Sequence, residues 1–110
     1  MRAVSEDAAT ALLRAIGASF AGFAGSFRIE SLVSRSWASV TFRGARHHVA
    51  FSLAGAGADA AANAFIRGLP SADFDLAGHI VADIVLLSAE RAPAEDRVAV
   101  TLEALTVEDS

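Results

Sequence analysis

The stretches HIVADIVLLSAE (79–90) and RVAVTLEALTV (97–107) are rich in Val, Ile and Leu and are joined by the turn-forming RAPAED. That composition specifies a hairpin of two long strands. Successive side chains of a strand point to opposite faces, and here both faces are apolar. One face carries Ile80, Ala82, Ile84 and Leu86 with Val98, Val100, Leu102 and Ala104. The other carries Val81, Val85 and Leu87 with Leu105 and Val107. A sheet with one wetted side would alternate apolar with polar residues instead. These strands therefore need cover twice over, once from the chain's own helices and once from something else.

The rest of the chain offers only two helices. Residues 5–22 read as the first, with Ser5 as N-cap, Glu6 and Asp7 in the first turn and an apolar stripe of Leu12, Leu13, Ile16, Phe20 and Phe23. GADAAANAFIRGLP (57–70) reads as the second, capped by Asp59, stopped by Gly68 and Pro70, with Ala62, Phe65, Ile66 and Leu69 buried. Between them lie SFRIESLV (26–33), SWASVTF (36–42) and HHVAFSL (47–53) as strands. Gly44-Ala45 suits a tight turn that sets Phe42 opposite His47, Val40 opposite Val49 and Ala38 opposite Phe51. This register tends to turn Phe27, Ile29 and Val33 outward; either a bulge repairs that or those side chains enlarge the apolar outer surface.

The order α-β-β-β-α-β-β with antiparallel hairpins specifies one α+β domain over residues 1–110. It is a two-layer sandwich of about five strands and two helices. The part from the first helix to the fourth strand resembles the split βαβ of the ferredoxin-like fold. The last strand stands where that fold has its first, as in a permutant. Such a resemblance implies an architecture and no activity. Two helices can hardly wrap both faces of such a sheet, so the economical cover for the second face is another copy of the chain. Trp37, Val81, Val85, Leu87, Leu105 and Val107 are the expected contact residues of this homodimer.

Composition removes several chemistries. The chain has no cysteine, which excludes disulfides, thiolate metal sites and cysteine nucleophiles. Its basic side chains are all arginine, so there is no lysine for a Schiff base or a phosphate loop, and there is no tyrosine. Net charge is −4 and the arginines are scattered, which argues against nucleic acid as a partner. Glu6, Asp7 and Arg14 spoil the first residues as a targeting segment, and no apolar run approaches membrane-spanning length. The expected setting is cytoplasmic, without membrane contact and without a cofactor.

His47 and His48 are adjacent on one strand, so their rings point to opposite faces and cannot chelate one metal together. A metal would require one of them with His79 and with Asp73 or Asp75. That spacing matches no known ligand pattern, and no metal site is expected. Asp83 and Glu103 share a face, and a simple register sets them directly opposite each other. Two carboxylates held close in apolar surroundings share a proton, which is the basis of an acid–base pair. Arg43, Arg46 and His48 on the neighbouring hairpin could instead neutralise them across an interface. Gly55, Gly57 and Ala60 fit a dinucleotide fingerprint, but the surrounding hairpins are antiparallel and Asp59 would repel a pyrophosphate. No G-x-S-x-G elbow occurs, and no serine sits in a turn that a histidine obviously reaches. The sequence thus assigns no catalytic residue. Its expectation is an interaction module. The alternative is a small-molecule-binding protein or enzyme whose acid–base site uses Asp83, Glu103 and His48, with Arg43 or Arg46 holding an anion.

Overall fold

Helix, hairpin, helix, hairpin is the order found in the computed structural model, which describes residues 7–69, 74, 76 and 78–108. Helix α1 (Ala8–Ala18) begins at Asp7. Its carboxylate accepts a hydrogen bond from the Thr10 N–H at 2.8 Å, and its carbonyl accepts one from Ala11. Ser5, the cap expected from sequence, lies outside the described residues; Asp7 takes that role. The helix ends at Ala18 rather than near residue 22, yet Phe20 and Phe23 in the turn beyond it still pack on the core. Helix α2 (Ala58–Gly68) is capped by Gly57 at φ 87°, which glycine adopts without steric penalty, so Asp59 falls in the first turn instead.

The first hairpin departs most from expectation. Residues 26–33 and 36–42 do not form two strands; Ser26–Ala38 is one strand, β1, with a bulge at Glu30. The bulge explains the broken alternation: Ile29 and Leu32 are three residues apart, yet both face the core because Glu30 is an extra residue. The turn is Ser39–Phe42, closed by Ser39 N–H donating to the Phe42 carbonyl at 2.7 Å and Phe42 N–H donating to Ser39 Oγ at 3.0 Å. Ala38 therefore pairs with Arg43 rather than Phe51, and Val40 and Phe42 lie exposed at the tip rather than facing inward. Gly44 stands inside β2 (Arg43–Ala54), not in the turn.

The second hairpin is β3 (His79–Ala92) and β4 (Arg97–Glu108), joined by a short 3-10 turn at Pro93–Glu95. All pairings are antiparallel in a four-stranded sheet of order β1-β2-β4-β3. The element order follows the sequence reading, with four strands in place of about five. An all-antiparallel sheet also removes the parallel unit that the Gly55-Gly57 fingerprint requires.

Both helices cover one face of this sheet. Leu12 and Ile16 of α1 and Ala58 and Ala62 of α2 meet Val49, Phe51 and Leu53 of β2 and Val98, Val100, Leu102 and Ala104 of β4 in one cluster. Alanine at the helix contact positions lets the helix backbones approach the sheet. The remaining space is filled by the rings of Phe20, Phe27, Phe51 and Phe65, whose neighbouring centroids are 5.0–5.6 Å apart. No helix among the described residues is long and apolar enough to cross a membrane.

Candidate functional site

Opposite the helices no described element covers the sheet, and the register arranges its side chains in rows. At the end near the β1–β2 turn, the first row runs Trp37, Gly44, Val107, Ile80, and the second Arg35, Arg46, Leu105, Asp83. The third runs Val33, His48, Glu103, Val85, and the fourth Ser31, Ala50, Thr101, Ser88. Further along comes Arg28, Ser52, Ala99, Glu90. Val33, Ile80 and Val85 are 55%, 53% and 47% exposed. Leu105, Val107 and Trp37 are half-buried among their neighbours.

Most of the residues singled out from sequence meet here, with four departures. Bulges at Ala82 and Leu87 shift the phase of β3. Val81 is carried to the helix face, where it packs against the core, and Ile80 takes its place on the open face. The same shift sets Asp83 opposite Leu105 and Val85 opposite Glu103, so the carboxylates are diagonal rather than directly opposite. Glu103 is paired instead with Arg46, Nη1 to Oε1 at 2.7 Å. This pair is part-exposed, and such pairs stabilise by about 0–1 kcal/mol. Arg43 is out of phase with Arg46 and belongs to the other face. Leu87, the extra residue of its bulge, is nearly half exposed.

A second constellation lies on the helix side, which the sequence reading did not find. His47 is buried on β2. Its Nδ1 lies 2.7 Å from Ser34 Oγ on β1, and its Nε2 lies 2.9 Å from Thr106 Oγ1 on β4. Each ring nitrogen thus has a hydroxyl partner, and the tautomer with its hydrogen on Nε2 makes Thr106 the acceptor there and Ser34 the donor to Nδ1. Thr106 Oγ1 also lies 3.4 Å from the Ala45 carbonyl. Ser34, His47 and Thr106 line a cleft of about 370 Å³ that is roofed by Asp7, Ala8 and Ala9 at the start of α1 and flanked by His79 and Glu108. The Ser34–His47 pairing was hidden because it depends on the true turn at Ser39–Phe42. A strand running unbroken from 26 to 38 is the signal that could have revealed it.

Burial, reinforced by the positive charge of nearby His79 and opposed by Asp7, pushes His47 below the ordinary histidine range. A histidine whose folded value is depressed is protonated in the unfolded chain first. Stability is therefore complete above pH about 6.5 and declines as pH falls through the unfolded value toward the folded one. Urea titrations at pH 7.5 and pH 5 are expected to show lower stability in acid, and His47→Gln is expected to flatten that difference. Asp7, held below the usual carboxylate range by hydrogen bonds from Thr10, loses its contribution only below the carboxylate range and does not confuse the comparison.

A larger concavity of about 990 Å³ lies between the helices, walled by Phe20, Phe23, Phe65 and Phe74 with alanines and glycines. Among the described residues no ionisable side chain lines it, and its described wall is fit to receive an apolar group. Asp73 and Asp75 lie outside the described residues. Among the described residues no three His, Asp or Glu side chains are grouped to hold a metal ion.

Fold and site define the chain as a two-layer α+β protein with one open sheet face and one polar cleft beneath its first helix. No family model matches it, and no curated protein or solved structure shows significant similarity to it.

Proposed function

We propose that the chain is a self-associating module, a homodimer joined through the open face of its sheet. The observation that carries this reading is the self-complementarity of the rows. A two-fold axis running along the boundary between β2 and β4 turns each row over onto itself with its order reversed. Arg35 then meets the partner copy's residue 83, an aspartate, and Val33 meets residue 85, a valine. His48 meets residue 103, a glutamate, Arg28 meets residue 90, a glutamate, and Trp37 meets residue 80, an isoleucine. Arginines of the β1–β2 half of one copy thus lie over carboxylates of the β3–β4 half of the other, with Arg28 shared with Glu30 of its own strand at 3.6 Å. Sheets stacked in this way cross at about 30°, so the central rows containing Val33, His48 and Arg35 carry most of the contact.

Size agrees with this reading. Four strands at roughly 4.8 Å spacing and about 12 residues at roughly 3.3 Å rise give a face of about 750 Å². A stable interface needs about 800 Å² from each partner. The strand order also supports a permuted ferredoxin-like architecture. Moving the first strand of a β-α-β-β-α-β chain to its end gives the α-β-β-α-β-β order of this protein. Both helices then lie on one face, leaving the other for association.

Sedimentation at about 50 µM is expected to give twice the monomer mass of 11.3 kDa. Val85→Asp sets a carboxylate against Val33 of the other copy twice per dimer and is expected to weaken association at least 100-fold. Adding Val33→Arg to that variant restores it, because the two positions face each other only in this register. A wild-type chain that sediments as a monomer overturns the reading, as does failure of the double variant to regain affinity.

A further inference from the structure

We propose that Ser34 and His47 act as a nucleophile and its general base, hydrolysing small non-anionic esters in the cleft beneath α1. This activity belongs to the helix side of the sheet and does not depend on the association proposed for the open face.

Nucleophilic catalysis by serine requires a hydroxyl within hydrogen-bond reach of a base, and a third group that fixes the base's orientation and tautomer. All three are present on adjacent strands. Ser34 and His47 are direct cross-strand partners, so the ladder rather than a loop sets the 2.7 Å between Oγ and Nδ1. Thr106 occupies Nε2, and in the Nε2–H tautomer, on which the proposal rests, Nδ1 is the acceptor facing Ser34. The ring is buried while Ser34 is exposed on the cleft wall. The base is therefore protected and the nucleophile accessible. Its depressed affinity for protons keeps the imidazole neutral at pH 7, the form that can accept a proton. Ala8 and Ala9 at the start of α1 line the cleft, beside the Asp7 carboxylate that the Thr10 N–H holds in place. Asp7 and Glu108 on the rim disfavour anionic substrates, and about 370 Å³ admits only a small acyl group.

The chemistry is redox-neutral and uses water. Ser34 Oγ adds to the ester carbonyl carbon as its proton passes to His47 Nδ1. The carbon–oxygen bond to the alcohol then breaks, the alcohol leaving with that proton, and an acyl-Ser34 remains. Water adds to the acyl carbon, gives a proton to Nδ1, and the carboxylic acid departs as Ser34 Oγ is reprotonated.

The test uses the full chain with p-nitrophenyl acetate and an alkyl fluorophosphonate, reading both turnover and peptide mass. The expected result is a phosphonyl adduct on Ser34 and turnover that falls on the acid side as His47 protonates, with Asp7, His79 and Glu108 the other titratable groups of the cleft. Ser34→Ala, an exposed and structurally mild change, is expected to lose the adduct and to lower turnover about 100-fold or more. Ser26→Ala, at the end of β1 far from the cleft, leaves both unchanged. A folded wild-type protein that takes no label at Ser34 overturns the proposal. So does a Ser34→Ala protein that hydrolyses the ester as fast as wild type.

Discussion

Replacing Phe51 with alanine is expected to cost about 3–5 kcal/mol of folding stability, the range found when a fully buried aromatic ring is removed. Phe51 is completely buried at the centre of β2, and its ring contacts those of Phe20, Phe27 and Phe65. Those rings come from the turn after α1, from β1 and from α2, so one side chain ties both helices to the sheet. A domain of this size is held by roughly 5–15 kcal/mol in total, and the loss leaves it near its unfolding threshold. The chain's one tryptophan, Trp37, stands on the other face of the sheet. Its fluorescence reports unfolding without itself being altered by the substitution. Phe51→Leu keeps most of the volume and is expected to cost under about 1.5 kcal/mol. A Phe51→Ala denaturation midpoint that barely moves would mean that the helices are held by other contacts.

How far such consequences could be read from sequence varied with the element. The last two strands and both helices were legible, because Val98, Val100, Leu102 and Ala104 alternate cleanly and Leu12 and Ile16 recur at helical spacing. Phases across bulges were not. A bulge adds one residue and reverses the face of everything beyond it, and neither Glu30 nor Ala82 differs chemically from an ordinary strand residue. The open face was visible as a surplus of apolar residues, although one of its members, Ile80, was assigned to the core and Val81 to the surface. The sequence reads His47 as an ordinary strand residue, because its partners are not visible in it. Ser34 is 13 residues away and Thr106 is 59, and only the strand register brings them to one ring.

The same register gives Gly44 a role that its turn-like neighbours conceal. Within β2 its backbone is extended, so left-handed freedom is not what it supplies. What it supplies is space. A Cβ at this position would lie 2.0 Å from the Thr106 carbonyl oxygen and 2.7 Å from the Trp37 ring. Trp37, paired with it across the strands, covers the bare glycine as aromatic residues do beside strand glycines. Gly44→Ala is therefore expected to destabilise the protein by about 3 kcal/mol, the upper part of the range for overpacking, because the main obstacle is backbone rather than a flexible side chain. Relief must come from parting β2 and β4 where Thr106 holds His47, so the variant is also expected to lose labelling at Ser34. A double-mutant cycle with Trp37→Ala separates the two contacts. If the carbonyl is the obstacle, removing the indole restores little. Full recovery in the double variant would place the clash on the ring and leave the link from Gly44 to the cleft without support.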